Sequence, residues 1–427
     1  MKSSAYNYFI PYKGKYICFN GITKRFFLVT EKNFSKFEKV IFHPETIEHD
    51  ERFIPFLKKM EAGGFVVRDD VDESVLVERK FREARFPEQY MLMILPTYRC
   101  NLRCWYCIQE HQSLTLTDEM VARVKLHIEK YLSENMVRRF RLSWFGGEPL
   151  LAFDQIVDIT KFARDFCKKT YICFYSDVTT NSLLLNDERI ALLGEMGVRI
   201  FQITVDGCRE CHNKVKRNET DNAFDMALGN IASILRLIPD STCRLRVNYS
   251  EKSLMPSRMM EDIDTLIPQE YRRRVTVSAY RIWQLPPFGE EDRKLAELRH
   301  LVRQGNYRIR CATGALCYVD YEHFNCVFPN GRVGKCENER PETAKGFLAE
   351  TGDIVWEADY PFEESLFEDD NDCAQCRYLP YCMGPCPQRR NEMLEKHGKV
   401  ICKYHDADAS VETSIKRYCE TILEGVS

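Results

Sequence analysis

Residues 100–107, Cys-Asn-Leu-Arg-Cys-Trp-Tyr-Cys, place three cysteines within eight positions, shortly after a strand-like segment at Tyr90–Leu95. Three thiolates can bind three irons of an iron–sulfur cubane and leave the fourth iron open. A structural zinc site is the alternative, but zinc takes four ligands and the local sequence supplies no fourth. The spacing therefore favours an iron–sulfur cluster bound by Cys100, Cys104 and Cys107.

Strand-like and helix-like stretches alternate from about residue 88 to residue 285. The six predicted strands are Tyr90–Leu95, Phe140–Trp144, Ile172–Thr179, Val198–Val205, Cys243–Asn248 and Val275–Tyr280. The five predicted helices between them are Asp118–Leu132, Phe153–Lys168, Asp187–Met196, Asn222–Leu237 and Ser257–Leu266. This order predicts an α/β fold of βαβ units, whose functional loops gather at the carboxyl ends of parallel strands. Six such repeats predict an open, partial barrel.

The cysteine motif and its place after the first strand resemble those of the radical S-adenosylmethionine (radical SAM) enzymes. In that family the open iron binds the amino and carboxylate groups of SAM, and one electron cleaves its carbon–sulfur bond. The resulting 5′-deoxyadenosyl radical abstracts hydrogen from the substrate. The resemblance implies a TIM-like (β/α)6 barrel in which Cys100, Cys104 and Cys107 are catalytic. The positions that match the family's SAM contacts are Tyr106, Gly146, Gly147, Glu148, Asn181, Thr204, Arg217 and Asn248.

Two of the matching motifs follow the second and third predicted strands. Gly146, Gly147 and Glu148 form the family's Gly-Gly-Glu motif. Glycines let the backbone approach a ligand closely, and the resemblance implies that Glu148 holds the SAM amino group. Asn181 belongs to a Thr-Asn pair in which Ser182 replaces the glycine of the family's Thr-Asn-Gly motif. An ordinary loop amide is the alternative interpretation of Asn181.

The next matches follow the fourth and fifth predicted strands. Thr204-Val205-Asp206-Gly207 resembles the family's Ser-Leu-Asp-Gly, so Thr204 keeps a hydroxyl for SAM. Arg217 follows His212 in a His-x4-Arg pattern and is the expected cation for the SAM carboxylate. Asn248 ends the fifth strand, where the resemblance implies a contact with the ribose.

The cysteine-rich carboxyl-terminal region resembles a SPASM domain, the extension of many peptide-modifying radical SAM enzymes. The resemblance implies three [4Fe–4S] clusters, one that binds SAM and two auxiliary ones. Auxiliary cluster I takes Cys311, Cys317, Cys336 and Cys386. Auxiliary cluster II takes Cys373, Cys376, Cys382 and Cys402. Two zinc-ribbon sites are the alternative. Cys326 departs from the pattern: it either replaces Cys311 or Cys317 as a ligand or lies unligated in a core.

Residues 1–85 are predicted to form a separate winged-helix-like α+β domain. Short strands at Tyr16–Gly21 and Arg25–Val29 precede a helical stretch at Phe53–Met60, and the Gly63-Gly64 pair ends it. Maturases of ribosomally made peptides often carry such a domain, which binds the leader peptide as an added strand. A precursor peptide is therefore the expected partner. The remaining predicted segments are the barrel at 86–285, a bridging helix at 286–308 and the loop-rich SPASM domain at 309–427.

The resemblance implies oxidative modification of a precursor peptide, most simply a thioether or a carbon–carbon cross-link, with an electron donor such as flavodoxin or ferredoxin. In sulfatase-maturating relatives an acid after the third ligand of auxiliary cluster I is a candidate base. Glu337 holds that position here, and an ordinary surface glutamate is the alternative. The alternative functions are a sulfatase-type maturase that converts Ser or Cys to formylglycine, a peptide epimerase, and a non-enzymatic iron–sulfur electron carrier.

The composition agrees with a metalloprotein, since 19 of 427 residues are cysteine. The 61 basic and 64 acidic residues give a formal charge of −3, which indicates neither a nucleic acid partner nor an anionic membrane surface. We find no signal peptide and no apolar run near the about 18 residues that span a bilayer. The expected location is therefore a reducing cytoplasm that is anaerobic or protected from oxygen.

Overall fold

The computed structural model describes residues 1–47, 49–216, 221–310, 316–357, 365–368, 370–402 and 407–423. The chain divides into two compact units, each assembled from segments that are distant in sequence. Unit 1 consists of Met1–Pro87, Cys311–Glu322 and Pro361–Ser427. Unit 2 consists of Glu88–Arg310 and His323–Tyr360.

The amino-terminal part of unit 1 combines strands and helices. Its strands are β1 (Lys2–Ser3), β2 (Asn7–Tyr12), β3 (Lys15–Asn20), β4 (Phe26–Thr30) and β5 (Val66–Val67). Its helices are α1 (Glu31–Phe42), α2 (Ile54–Gly63) and α3 (Glu73–Arg85). Strands β2, β3 and β4 form one antiparallel sheet, and β1 pairs with β5. Gly64 ends α2 with a φ of 79°, a left-handed conformation that glycine adopts without steric cost.

Unit 2 is built on a single sheet. Its strands are β6 (Gln89–Ile94), β7 (Arg139–Trp144), β8 (Cys173–Thr180), β9 (Val198–Val205), β10 (Thr242–Tyr249), β11 (Val275–Arg281), β12 (Arg308–Ile309), β13 (Phe324–Val327), β14 (Arg332–Gly334), β15 (Gly346–Leu348) and β16 (Ile354–Trp356). The sheet order is β12-β11-β10-β9-β8-β7-β6-β13-β14-β15-β16. From β6 to β12, neighbours in sequence are parallel neighbours in the sheet. The predicted α/β fold with a parallel, barrel-like sheet is confirmed.

Helices alternate with these strands and cover one face of the sheet. They are α4 (Asp118–Glu134), α5 (Phe153–Thr170), α6 (Asp187–Glu195), α7 (Arg209–Val215), α8 (Ala223–Leu237), α9 (Pro256–Asp264) and α10 (Glu291–Gln304). Buried strand residues such as Leu142 and Ile203 share one apolar core with Ile128 of α4 and Leu228 of α8. Because strand side chains alternate between faces, the residues between them lie on the opposite face. No helix in the described ranges is long and apolar enough to cross a membrane.

Part of the predicted SPASM segment belongs to the barrel sheet. Strand β13 runs parallel to β6, with Cys326 opposite Met93 and Val327 opposite Ile94. Strands β14, β15 and β16 continue the sheet in antiparallel order. Because these backbone hydrogen bonds join residues 323–357 to unit 2, the compact units do not follow the predicted boundary at residue 309. The functional division into four segments stays a prediction.

The carboxyl-terminal segment completes unit 1. It contains α11 (Leu379–Cys382), α12 (Pro387–His397) and α13 (Ala407–Leu423). Alternate residues of β3 belong to two different hydrophobic cores. Ile17 and Phe19 pack with Tyr381 and Ile415 of the carboxyl-terminal segment. Cys18 packs with residues of α1 and α2. The amino-terminal sheet and the carboxyl-terminal helices therefore stabilise one another.

Candidate active site

The loop after β6 carries the first three predicted cluster ligands. Cys100 and Cys104 are partly buried and Cys107 is exposed. The Leu102 amide donates to Cys100 Sγ at 3.4 Å, and the Cys107 amide donates to the Cys104 carbonyl at 3.0 Å. Burial raises the pKa of Cys104 to about 11, Lys216 opposes that shift, and Asp206 and the other two thiols add to it.

The loop therefore gathers three thiols within electrostatic reach of one another. Among the described residues, no group of three His, Cys, Asp or Glu side chains is already arranged to hold a metal ion. The fit to an iron–sulfur cluster rests on the chemistry of the donors, because three thiolates on one loop are what a cubane with one open iron requires.

The Gly-Gly-Glu segment packs backbone to backbone against the approach to this loop. A Cβ atom on Gly146, whose φ is 129°, would lie 2.5 Å from the Thr97 carbonyl oxygen, and one on Gly147 would lie 2.3 Å from the Arg99 carbonyl oxygen. The Gly147 amide donates to Thr97 O at 3.0 Å, and the Glu148 amide donates to Arg99 O at 2.8 Å. Only glycine fits at both positions, so these residues fix the path of the chain into the cysteine loop.

Glu148 is buried and joins the ends of β7 and β8. Its Oε1 accepts from Thr180 Oγ1 at 2.6 Å and from the Leu150 amide at 3.1 Å, and its Oε2 accepts from the Asn181 amide at 2.8 Å. Burial raises the pKa of Glu148, and these hydrogen bonds oppose the shift. The carboxylate therefore positions the loop after β8, and its predicted contact with the SAM amino group stays a prediction.

The loop after β8 explains the serine that replaces the family's glycine. Ser182 has a φ of 67° and is fully buried, and its amide donates to Thr180 Oγ1 at 2.9 Å. Asn181 Nδ2 donates to Asn101 Oδ1 at 2.8 Å, which links this loop to the cysteine loop. The backbone conformation that favours glycine is thus kept with a serine, at a cost in strain.

A buried polar network lies beside Cys104. Tyr106 donates its hydroxyl to Asp206 Oδ1 at 2.5 Å, and the Asp206 amide donates to His212 Nδ1 at 3.1 Å. Asp206 and His212 are both almost fully buried. Burial raises the pKa of Asp206 and lowers that of His212, while the charge of Lys216 lowers both. The histidine is therefore neutral, and Lys216 is the buried cation of this network among the residues that the structure describes.

Lys216 is the functional candidate that the sequence analysis missed. Its side chain is 6% exposed; Nζ donates to the Thr204 carbonyl at 2.8 Å and lies 3.9 Å from Asp206 Oδ2. Its charge also reaches Cys100 and Glu148. The available signal was its spacing, because a residue four positions after His212 shares that residue's helix face. The predicted cation, Arg217, lies outside the described residues.

The remaining predicted SAM contacts lie at the ends of β9 and β10. Thr204 is partly buried, and Asn248 is 9% exposed. Asn248 Oδ1 accepts from Arg246 Nε at 3.0 Å, and its side chain lies beside the Tyr106 hydroxyl, whose pKa burial raises and Asn248 lowers. The structure therefore brings Tyr106 and Asn248 into contact, and it gathers all the described candidates at the carboxyl edge of the sheet.

The four cysteines predicted for auxiliary cluster II line one pocket of unit 1, together with Tyr378 and Leu379. Burial raises the pKa of Cys373 to about 12, and the other three thiols add to that shift. Asp372 Oδ2 accepts from the Cys402 amide at 3.0 Å and so holds that segment against Cys373. Four converging thiols match the donors of a fully ligated [4Fe–4S] cluster, and the pocket lining is mainly apolar.

The ligands predicted for auxiliary cluster I are divided. Cys311 lies outside the described residues, Cys317 and Cys386 belong to unit 1, and Cys336 belongs to unit 2. This ligand set stays a prediction. Glu337 is partly buried next to Cys336, with 3.8 Å between Oε2 and Sγ.

Cys326 lies on β13 within the sheet core and is fully buried. Burial raises its pKa well above the usual range, with Glu337 as the next cause. A protonated, fully buried thiol supports the interpretation of an unligated core cysteine.

Comparison with known proteins agrees with this geometry. Residues 94–249 match the radical SAM superfamily. GTP 3',8-cyclase of Clostridium perfringens strain SM101 is 27% identical over 201 residues, which are 47% of this chain and 56% of that protein. Fe-coproporphyrin III synthase of Methanosarcina barkeri is 27% identical over 133 residues, 31% of this chain and 30% of that protein. The chain spans about half or less of the length of these relatives.

Two solved structures have a similar fold. The structure of anSMEcpe with bound AdoMet and Cp18Cys peptide has a TM-score of 0.54 and 16% identity, and it covers 80% of this chain and 99% of its own. Streptococcus suis SuiB bound to the precursor peptide SuiA has a TM-score of 0.51 and 14% identity, covering 94% of this chain and 100% of its own. The match over residues 94–249 includes both the three-cysteine loop and the polar network at the carboxyl edge of the sheet. Residues 94–249 therefore match a radical SAM domain, and a cysteine-rich region follows this domain in the chain.

Proposed function

We propose that this enzyme oxidatively modifies a ribosomally made precursor peptide and that a thioether or carbon–carbon cross-link is the product. The observation that carries the proposal is the four-cysteine pocket of unit 1, with Cys373, Cys376, Cys382 and Cys402 converging. An oxidative outcome requires an acceptor for the electron left on the substrate, and an auxiliary cluster is such an acceptor. Two fold neighbours whose structures contain peptides support the same substrate class.

The radical SAM family implies SAM and a [4Fe–4S] cluster, which together supply the hydrogen-abstracting 5′-deoxyadenosyl radical when bound. In our proposal Cys100, Cys104 and Cys107 hold the cluster. Lys216 supplies the cation for the SAM carboxylate in place of Arg217, because its buried ammonium group already faces the cysteine loop. Tyr106 and Asn248 keep the cysteine loop against the end of β10.

The leader peptide is proposed to bind at the sheet β2-β3-β4 of unit 1. Within the described ranges β4 pairs only with β3, and its residues Phe26–Val29 are partly exposed. An edge strand of this kind presents unpaired backbone groups to an incoming strand. Removing residues 1–85 is a poor test, because Tyr8, Ile17 and Phe19 share a core with Tyr381 and Ile415. A precursor without its leader is the better probe, and we expect it to be modified far more slowly.

The deciding experiment is mass spectrometry of the precursor peptide encoded beside this gene, after anaerobic incubation with SAM and a reductant. Loss of two hydrogens without a new aldehyde supports a cross-link. Loss of two hydrogens with an aldehyde that reacts with hydroxylamine supports formylglycine formation from serine. An unchanged mass with deuterium uptake supports epimerisation. An unmodified peptide, with 5′-deoxyadenosine formed only when GTP is added, would assign the enzyme to nucleotide chemistry.

A further inference from the structure

The face of the unit 2 sheet opposite to the helices carries an excess of positive charge. Residues paired across parallel strands stand side by side on one face. We define the polar face by its paired residues on β7 to β11: Arg141, Ser143, Tyr175, Asp177, Thr179, Gln202, Thr204, Arg244, Arg246, Asn248, Thr276, Ser278 and Tyr280. Asp177 is the single carboxylate among them, and most of the others are partly exposed. A ligand can therefore reach this face.

Asp177 is already paired. Its carboxylate accepts from Arg141 Nε at 2.6 Å and Nη2 at 3.1 Å, and from Ser143 Oγ at 2.7 Å. Through these contacts the Asp177 carboxylate neutralises the charge of Arg141. Arg244 feels the charge of Asp177 but forms no hydrogen bond with it among the described residues.

Three further arginines on or beside this face have no carboxylate partner among the described residues. Arg246 donates to Asn248 Oδ1 and lies 4.4 Å from the centroid of the Tyr280 ring. Arg310, directly after β12, donates to the Tyr280 hydroxyl at 3.3 Å. Arg244 makes no hydrogen bond or ion pair with any residue that the structure describes.

The position of Arg244 is costly without an anion. Burial lowers its pKa, the charges of Arg141 and Arg310 lower it further, and the charge of Asp177 opposes the shift without reversing it. Partly burying like charges is unfavourable unless an opposite charge compensates them. Guanidinium groups bind carboxylates with two parallel hydrogen bonds, which makes arginine the suitable cation for such a ligand.

The same face leads to the SAM site. Arg244, Arg246 and Asn248 follow one another on β10, about 7 Å apart. Asn248 contacts Tyr106 of the cysteine loop, so the guanidinium groups continue along the polar face from the edge where the SAM contacts lie. A substrate that presents a hydrogen atom at that edge meets these arginines with its neighbouring groups.

We propose that Arg244, Arg246 and Arg310 bind a carboxylate of the peptide substrate, so that an Asp or Glu side chain lies at or beside the modified residue. This inference rests on the proposed peptide substrate and specifies its chemistry. It makes the polar face a specificity determinant, because a neutral peptide offers no carboxylate to these three guanidinium groups.

The test uses the anaerobically reconstituted enzyme with saturating SAM and two pools of fluorescein-labelled octapeptides. The pools are identical except for a central Glu in one and a central Gln in the other, with neutral residues randomised elsewhere. Fluorescence anisotropy gives the two dissociation constants. We expect the Glu pool to bind on the order of tenfold more tightly than the Gln pool, the effect of one charge-assisted contact. Equal binding of the two pools overturns the proposal without any variant.

Variants locate the effect. Arg244→Gln and Arg246→Gln should each reduce the Glu preference severalfold, whereas Arg293→Gln, an exposed arginine on α10, should leave it in place. If both polar-face variants keep the wild-type preference for the Glu pool, the assignment of the carboxylate site to these arginines is wrong. Arg244→Gln should fold, because Arg244 loses no hydrogen bond or ion pair with a described residue. If the variant does not fold, the comparison of the two pools on the wild-type enzyme still tests the proposal.

A nucleotide is the competing anion. GTP that binds more tightly than the Glu pool overturns the carboxylate assignment and also argues against a peptide substrate. Modification of the genome-encoded precursor, together with equal binding of the two pools, overturns this inference alone and leaves the proposed function standing.

Discussion

At the scale of single residues, Lys216 is the buried cation that we propose binds the SAM carboxylate. Lys216→Met should raise the dissociation constant of SAM by about tenfold or more, because it removes a buried cation beside Asp206 and Cys104. Lys216→Arg should retain most of the affinity. Calorimetric titration of the reconstituted enzyme with SAM measures both, and Lys214→Met, an exposed neighbour on α7, is the control. Wild-type affinity in Lys216→Met would exclude this role.

Ser182 shows what a single substitution costs at a strained position. Ser182→Gly should stabilise the fold by about 1 kcal/mol, since φ is 67° and the buried Oγ has no hydrogen-bond partner among the described atoms. Ser182→Ala separates the two causes, because it removes the hydroxyl but keeps the strained backbone. Urea denaturation of the three proteins gives the free energies of unfolding. A glycine variant less stable than the alanine variant contradicts the strain argument.

Motif spacing identified the cysteine loop, the Gly-Gly-Glu segment and the ends of β9 and β10. It did not single out Lys216, because Lys216 and Arg217 are both cations after His212, and the approach of Lys216 to Asp206 depends on the folded structure. The role of Glu148 in joining β7 to β8 was also hidden, since two of the three donors to its carboxylate, Thr180 and Asn181, are distant in sequence. Periodicity reports which face of an element is apolar, and it does not report which polar groups meet.

At the scale of elements, the long strands and helices of the barrel were predictable because each carries its own periodicity. Strand β9, for example, begins and ends at the predicted residues, Val198 and Val205. Strands β12 to β16 were missed, since runs of two to four residues contain too little alternation to recognise. The pairing of β13 with β6 could not be inferred either, because it depends on contacts across more than 200 positions.

The junction between α4 and the β15–β16 turn predicts a pH dependence of stability. His127 is buried; Nδ1 donates to the Gly352 carbonyl at 2.8 Å, and Nε2 lies 2.6 Å from the Tyr90 hydroxyl. Burial lowers the pKa of His127 to about 4 from an unfolded value of 6.5. The unfolded chain therefore binds the proton first, and stability present above pH 6.5 is lost as the pH falls towards 4.

Between pH 7 and pH 5 this group should remove about 2 kcal/mol of stability from the wild-type protein. His127→Gln should show a correspondingly smaller loss, measured by urea denaturation at both pH values. His300→Gln, on the exposed side of α10, serves as the control and should keep the wild-type loss. An identical loss in wild type and His127→Gln would mean that His127 does not contribute to the pH dependence.

At the scale of the whole molecule, cysteine content and the arrangement of the chain are linked. The 19 cysteines include the three of the SAM loop and the four that converge in unit 1. Sequence order suggested a barrel followed by a separate SPASM domain, but β13 to β16 join the barrel sheet, and α11 and α13 pack against the amino-terminal sheet. A division of the chain into consecutive segments does not describe this arrangement, because β-pairing and core packing join residues that are distant in sequence.

The iron content tests the assignment of these cysteines. Three [4Fe–4S] clusters require about twelve irons per chain. Cys382→Ser should lower the iron content of the anaerobically reconstituted protein by about four, because Cys382 lines the four-cysteine pocket. Cys326→Ala should leave it unchanged, since that thiol is fully buried on β13 in the sheet core. Iron and acid-labile sulfide are measured on both variants and the wild type. If Cys326→Ala loses iron, Cys326 is a ligand after all and replaces Cys311 or Cys317; if Cys382→Ser keeps its iron, the pocket of unit 1 binds no cluster.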